Sequence, residues 1–212
     1  EFWMVEPEMA FADLDDVMDM SEKLVCYIVK RVLERRGEEL KILERDISKL
    51  EKITSPFQRM TYDEAVKLIN ESGVKMEWGE DFGAEQDSVL SNHFDKPVFI
   101  HRFPKKVKPF YMEIDPENPE LVLGVDMYAP EGYGELVGGS QRMFDLDNLV
   151  KEAKKSNLDE EAYRWYIELR KWGSCPHAGF GLGVERTISW ITGVEHIRTT
   201  IPFPRTINRL YP

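Results

Sequence analysis

The sequence predicts a mixed α+β fold built on an antiparallel sheet, and three observations carry that prediction. Strand-like segments follow one another directly at residues 97–103, 110–114 and 121–128, with Pro116-Glu117-Asn118-Pro119 suited to a hairpin turn between the last two. Helical periodicity is confined to separate stretches with readable start and stop signals. A late strand carries glycine at every second position, Gly179, Gly181 and Gly183. Successive antiparallel strands argue against a doubly wound parallel sheet.

Taken in order, residues 2–12 are rich in aromatic and apolar side chains and read as a buried strand that carries polar groups toward a site, with Pro7 a mild objection. From Asp13 onward Leu14, Val17, Leu24, Ile28 and Val32 keep a 3.6-residue rhythm. Acidic residues crowd the start, Arg35 and Arg36 the end, and Gly37 supplies a stop. Residues 38–53 are charged and helical in period, with Leu40, Leu43, Ile47 and Leu50 as the stripe. Pro56 ends that segment. Thr61-Tyr62-Asp63-Glu64 then matches a capping box, predicting a helix over 61–72 closed by Gly73. Residues 78–92 lack a clean period and leave room for one short helix. Two helices are expected at 145–156 and 159–172, and the glycine-punctuated strand runs into a last helix, 185–192, capped by Gly193.

With 42% hydrophobic and 32% charged positions, 212 residues fit one large domain with a real core or one domain with an insertion. The balance of 28 Lys+Arg against 39 Asp+Glu gives a net charge of -11, which excludes a protein that holds nucleic acid through a generally basic surface. Cys26 and Cys175 cannot make a disulfide framework, and no apolar run approaches the roughly 18 residues of a membrane helix. A soluble, cytoplasmic protein is expected. Residues 1–6 resemble neither a start methionine nor a signal peptide, so the sequence is expected to open in mid-strand, like a fragment.

Three constellations bear on chemistry. In Gly179-Phe180-Gly181-Leu182-Gly183-Val184-Glu185-Arg186 the alternating glycines leave one face of a strand bare, while Phe180, Leu182 and Val184 anchor the other. Arg186 then sits at a helix start beside that bare face and can pair with a phosphate; the plain alternative is a close strand or helix crossing. A dinucleotide fold fails on glycine spacing, and a P-loop fails because no Gly-Lys-Ser/Thr is present. Asp126 and Glu135, on adjoining strands, form a plausible oxygen pair for a hard cation such as Mg²⁺, or are merely surface residues. Near them Gly138 and Gly139 permit close approach of a ligand to the backbone, and the planar fork of Arg142 suits a carbonyl or carboxylate. In the opening strand Phe2 offers a stacking face, and Glu6 and Glu8 lie on one side, unless they are simply exposed at an edge. His93, His101, His177 and His196 are dispersed without metal-ligand spacing; His177 either lines the pocket or serves the structure.

Together these motifs resemble the catalytic domain of the class II aminoacyl-tRNA synthetases, aspartyl/asparaginyl subgroup. Residues 179–186 match the class motif Gly-φ-Gly-φ-Gly-φ-Glu-Arg, residues 1–12 resemble the second strand of motif 2, and Phe203-Pro204-Arg205 with Arg209-Leu210-Tyr211-Pro212 resembles the subgroup's C-terminus. Residues 1–8 and 138–142 are similar to asparaginyl rather than aspartyl enzymes. The resemblance spans essentially the whole chain and implies an antiparallel sheet flanked by helices.

It further implies ATP-dependent activation of asparagine to asparaginyl-adenylate, then transfer to tRNA(Asn), with Mg²⁺ as cofactor. Aspartyl specificity, a tRNA-independent amino-acid ligase and a non-catalytic ATP-binding module are the alternatives. Phe2, Glu135, Gly183 and Arg186 would bind ATP, with Arg186 and Glu135 catalytic and Asp126 and Glu135 holding the metal. Arg142 would grip the side-chain carbonyl of asparagine and Glu6 its amide, with Gly138 beside them. A carboxylate at position 6 accepts from an NH₂ group and repels a substrate carboxylate. Gly138 stands where aspartyl enzymes carry a metal-assisting serine. The chain, residues 1–212, is expected to be the C-terminal portion of the catalytic domain. It would lack the anticodon-binding β-barrel, motif 1 and the first half of motif 2, be inactive or severely weakened alone, and belong to a homodimer in full-length form.

Overall fold

The computed structural model of the chain describes residues 1–159 and 161–211. The opening segment, expected as one buried strand, forms two short ones, β1 (Met4–Val5) and β2 (Glu8–Ala10), and is mostly exposed. Pro7 has no N–H to give to a ladder, so the regular strand lapses there. The register is nonetheless common to both pieces, Met4 facing Gly183 and Glu8 facing Gly179. Exposure follows from the segment's place at the edge of the sheet.

Helix α1 (Leu14–Arg35) opens on Asp13, which accepts from the Asp16 N–H while Asp16 returns the bond, and it buries Leu14, Val17, Met18, Val25 and Val29. The stop expected at Gly37 falls one residue early: Arg36 ends α1, and Gly37 begins α2 (Gly37–Ile42). The helix expected over 38–53 is broken into α2 and α3 (Ile47–Glu51), leaving Leu43 and Ile47 exposed. Glu44 takes a φ of 55° between them, and the Asp46 carboxylate accepts from the Ser48 N–H, a local bond that replaces helix continuation.

A strand not anticipated from the sequence, β3 (Gln58–Thr61), leads into α4 (Tyr62–Glu71), which starts at the predicted Thr61/Glu64 box. Helix α5 (Ala84–His93) fills the aperiodic stretch. Strands β4 (Val98–Pro104), β5 (Leu121–Ala129) and β6 (Gly134–Arg142) follow. Residues 110–114 form no regular strand. They thread between two neighbours, Glu113 N–H donating to Gln141 O and Leu123 N–H to Glu113 O, so a continuous ladder with either is impossible. Helix α6 (Leu146–Lys155) agrees with expectation, whereas α7 (Arg164–Lys171) starts after the predicted residue 159; residue 160 lies outside the described residues. Strand β7 (His177–Gly183) runs into α8 (Val184–Thr192), ended by Gly193 at φ 78°. Pro212 of the C-terminal motif also lies outside the described residues.

Among the described residues seven strands make one sheet in the order β1-β7-β6-β5-β4-β3, with β2 also on β7. All pairings are antiparallel except β3 with β4. On one face α1 packs over β5, β6 and β7, joining Val17, Val125, Met127, Phe180 and Leu182 in one core. On the other face α4 and α5 cover the β3–β5 side with Tyr62, Ile69, Leu90, Val98 and Ile100. That cover reaches the start of β6, where the Gly134 N–H donates to Ser91 Oγ of α5, and leaves the rest of β6 and β7 open to a cavity of about 780 Å³. No helix among the described residues is long and apolar enough to cross a membrane.

The seam between α1 and the sheet makes a sharp stability contrast. A Cβ on Gly139 would lie 2.8 Å from Phe180 Cβ, 2.9 Å from the Gly179 carbonyl and 3.0 Å from Val17, whereas one on Gly37 meets nothing within 4 Å. Gly139→Ala is expected to destabilise the fold by about 1–3 kcal/mol. Gly37→Ala is expected to be neutral or to stabilise by up to about 1 kcal/mol. Urea denaturation of the two variants measures both.

Candidate active site

The cavity floor is β6 and β7, and cross-strand register dictates its composition. Gly138 lies opposite Gly181, and Ser140 opposite Gly179, so this face of both strands carries almost no bulk. Asp126 on β5 stands opposite Gly138 and joins the same face. The edge strand then lies down on the glycines. A Cβ on Gly179 would sit 2.4 Å from the Glu8 carboxyl carbon, and one on Gly181 3.1 Å from Met4 and 3.8 Å from a Glu6 oxygen. The alternation predicted for Glu6 and Glu8 therefore holds across the break at Pro7. All of the predicted site residues, Phe2, Glu6, Asp126, Glu135, Gly138, Arg142, Gly183 and Arg186, line this single cavity.

At one end Arg142 is fixed on three sides. Its Nη2 donates to Glu8 Oε1 at 2.6 Å, Nε to the same oxygen at 3.2 Å, and Nη1 to Ser140 Oγ at 2.7 Å. The guanidinium lies 5.4 Å from the Tyr111 ring centroid. Such a fork, held flat by a carboxylate and a ring, presents a fixed donor edge to a ligand. Glu6 is exposed and lines the same cavity, two residues along the edge strand from Glu8.

At the other end two carboxylates converge. A Cβ on Gly138 would meet Glu135 Oε1 at 2.9 Å and Asp126 Oδ1 at 3.6 Å. Asp126 is buried, and Lys108 Nζ donates to its Oδ2 at 2.5 Å while sitting 3.9 Å from the Phe103 ring centroid. Burial pushes the Asp126 carboxyl up, and the Lys108 ammonium works against that rise. Glu135 is pushed up to about 7, first by burial and then by the Asp126 charge, with Arg186 and Lys108 pulling it back. Asp87 on α5 adds a third carboxyl in the same field, raised by burial. Arg186 is exposed to the cavity, its Nη1 donating to the Glu135 carbonyl at 2.7 Å. Phe2, 65% exposed, lines the same cavity.

Several residues that build the site were not singled out in the sequence. Glu185 is buried and both of its oxygens accept from the Trp3 N–H at 3.1 Å, pinning the chain beside Phe2 to the start of α8. Lys108 and Ser140 engage predicted residues directly, and Glu8, placed only on the right side of its strand, proves to be the partner of Arg142. The lone sequence signal for Lys108 is a run of three lysines in four residues of an acidic chain. His177 serves the structure: its ring nitrogens lie 2.8 Å from Cys175 O and 3.3 Å from Arg170.

Two convergent carboxylate oxygens suit Mg²⁺, which typically takes one or two protein carboxylates and completes its shell with water and substrate phosphates. No group of three or more potential metal ligands assembles among the described residues. The donor set thus fits a cation shared with a phosphorylated ligand and does not make a protein cage.

Residues 1–207 match the family described as tRNA synthetases class II (D, K and N). The asparaginyl-tRNA synthetase of Pyrococcus horikoshii is 47% identical, with a TM-score of 0.96 over 100% of this chain and 50% of its own; it has also been solved complexed with asparaginyl-adenylate. The asparaginyl-tRNA synthetase of Entamoeba histolytica, in complex with asparaginyl-adenylate, is 36% identical, with a TM-score of 0.91 over 100% of this chain and 49% of its own. The aspartyl enzyme of the same organism is 28% identical, with a TM-score of 0.86 over 100% of this chain and 44% of its own. The chain thus spans about half the length of the solved structures it matches.

The raised Glu135 carboxyl has a measurable consequence. Because its folded value of about 7 lies above the ordinary glutamate value of 4.5, the folded state holds this proton more tightly than the unfolded state. Its contribution to stability therefore falls as pH rises through that interval and is level above it. Glu135→Gln is expected to raise Tm near pH ~8 and to leave it almost unchanged near pH ~5. Thermal denaturation at both values tests this; equal shifts at the two would show that ionisation is not involved.

Proposed function

The chain belongs to the class II tRNA synthetases of the D, K and N type, and from that premise we propose that it carries the amino-acid-activating site of an asparagine–tRNA ligase. The asparagine carboxylate attacks the α-phosphorus of ATP, pyrophosphate leaves, and the acyl group passes from asparaginyl-adenylate to the terminal ribose of tRNA(Asn). No side chain acts as a covalent nucleophile; alignment and charge at the phosphates do the catalytic work. Phe2 stacks on adenine, Gly183 leaves room for the nucleotide, and Arg186 holds phosphate oxygens. Asp126 and Glu135 would hold Mg²⁺, which when bound supplies neutralising charge at the phosphates. Arg142 donates to the side-chain carbonyl of asparagine, Glu6 accepts from its NH₂ group, and Gly138 keeps the floor between them open.

The observation that carries the choice of asparagine is the Glu8–Arg142 pair in a cavity that Glu6 also lines. Arg142 already has a carboxylate partner, so an incoming side-chain carboxylate would meet two acids for one arginine. A carboxamide offers an acceptor to Arg142 and a donor to Glu6 and brings no charge. The 47% identity to an asparaginyl enzyme against 28% to an aspartyl one points the same way. In this reading residues 1–212 are the C-terminal part of a catalytic domain whose complete form binds tRNA, pairs with a second copy and works in the cytoplasm.

ATP–pyrophosphate exchange with asparagine and aspartate in parallel tests specificity, and calorimetric titration with a non-hydrolysable asparaginyl-adenylate analogue tests the site independently of turnover. Asparagine is expected to be preferred, and Glu6→Ala to weaken analogue binding by about tenfold to a hundredfold, the loss of a hydrogen bond to a charged group. Preference for aspartate would overturn the assignment.

A further inference from the structure

We propose that Lys108 is a displaceable stand-in for the divalent cation of the active cavity: its ammonium neutralises Asp126 until a phosphate-bound metal takes that carboxylate, and it then turns to the phosphates. This rests on the synthetase reading above and adds to it a residue that trades places with the metal. The pair is enclosed, the Lys108 side chain 12% and the Asp126 side chain 8% exposed, and both residues line the active cavity. An ammonium has three donors. Among the described residues Lys108 hydrogen-bonds one acceptor, Asp126 Oδ2 at 2.5 Å, and the Phe103 ring at 3.9 Å adds a second, weaker contact. A cation kept for the fold alone has its donors met where it is this far removed from water. Arg170 is such a case, buried and donating to both Met143 O and Tyr166 Oη.

Charge and space both favour an exchange. Asp126 Oδ1 and Glu135 Oε1 converge on the bare position of Gly138, 3.6 and 2.9 Å from where a Cβ would stand, and carboxylates brought together in this way call for positive charge beside them. Arg186 and Lys108 are the cations whose charges act on Glu135, and of the two only Lys108 is bonded to Asp126 among the described residues. A divalent cation on Asp126 would stand beside that ammonium, and like charges so close in an enclosed site repel strongly. The ammonium has somewhere to go. Lys108 lines the two hollows next to the active cavity, of about 390 and 410 Å³, so its flexible stem can swing without displacing a packed side chain. A bare ion would cost Lys108 its partner, whereas a metal that arrives with phosphates offers it a new one. Metal and nucleotide therefore bind with positive coupling.

The test uses Mn²⁺ as the probe, its binding to the chain without nucleotide followed by electron paramagnetic resonance at pH ~8, where protons compete least for the carboxylates. Lys108→Met is expected to bind Mn²⁺ at least about tenfold more tightly than the parent, because a competing charged partner of Asp126 is gone. The same variant is expected to bind a non-hydrolysable ATP analogue with Mg²⁺ at least about fivefold more weakly by calorimetry. Opposite signs separate this role from a structural one, since a loosened site would weaken both. Lys108→Gln keeps a donor for Asp126 and removes only the charge; it should shift both affinities in the same directions, and it serves where the methionine variant does not fold. Mn²⁺ binding no tighter in the folded variants than in the parent, or nucleotide binding by the parent that the substitutions leave unchanged, would overturn the proposal. Tighter Mn²⁺ binding in the variants with no nucleotide bound by the parent would leave the exchange at Asp126 standing and sink the activation reading.

Discussion

The site depends on one steric permission, that the edge strand can lie flat on β7. At Gly179, Gly181 and Gly183, three alternate positions where β7 meets that strand, it carries no side chain, and the Glu8 carboxyl occupies the space a Cβ on Gly179 would need. With a methyl group there, Glu8 would be lifted away, and Arg142 would lose the carboxylate that orients its fork. The other end of the strand is held differently. The Trp3 N–H donates to Glu185, and the Val184 N–H donates to Trp3 O, so the residue after Phe2 is locked to the first turn of α8. The motif that begins as bare glycines and ends in Glu-Arg thus performs two tasks in succession. It provides the floor, and it then fastens the strand that lies on the floor.

The sheet itself explains why the chemistry is where it is. Both of its faces need cover, and α1 supplies it along β5 to β7 on one side. On the other, α4 and α5 pack over β3, β4, β5 and the start of β6 and leave the rest of β6 and β7 open. Side chains alternate across a strand, so one residue step separates core from cavity: Gly139 packs against Val17 and Phe180, whereas Gly138 and Ser140 face Glu135 and Arg142. Asp126 sits at the border of the two regions. It is enclosed enough for burial to disfavour its charge, and near enough to the cavity for Lys108 to reach it.

Local signals in the sequence were legible, and long-range partners were not. The Thr61/Glu64 cap, the start of α1 at Asp13 and the alternation of Gly179, Gly181 and Gly183 each depend on residues a few positions apart, and each is realised. The break between α2 and α3 is not legible in the sequence because the stripe of Leu40, Leu43, Ile47 and Leu50 is a sound helical period. What overrides it is a single left-handed residue, Glu44, followed by the Asp46 cap. Composition alone predicts a buried opening strand, but exposure is set by position in the sheet, and Trp3, Met4 and Val5 stand at its edge. The pairs that finish the site span 134 residues for Glu8 with Arg142 and 182 for Trp3 with Glu185. No periodicity encodes such distances, although family resemblance already gathered Phe2, Glu6, Arg142 and Arg186 into one expectation.

A common feature of the cations in the cavity is that each already has an acceptor. Arg142 donates to Glu8 and Ser140, Lys108 to Asp126, and Arg186 to the carbonyl of Glu135. Ligand binding at such a site is an exchange of partners, so affinity reflects the difference between the old bond and the new one and not the full strength of either. That makes discrimination sharper. A phosphate carries enough charge to draw Arg186 from a neutral carbonyl, because charge-assisted bonds are about twice as strong as neutral ones. At Arg142 the existing partner is itself a carboxylate, and a second carboxylate gains little by competing with it. A neutral carbonyl can instead share the fork without displacing Glu8. Under the proposed function the internal ion pair therefore would do more than hold an arginine still; it would set the charge of the ligand that the arginine prefers.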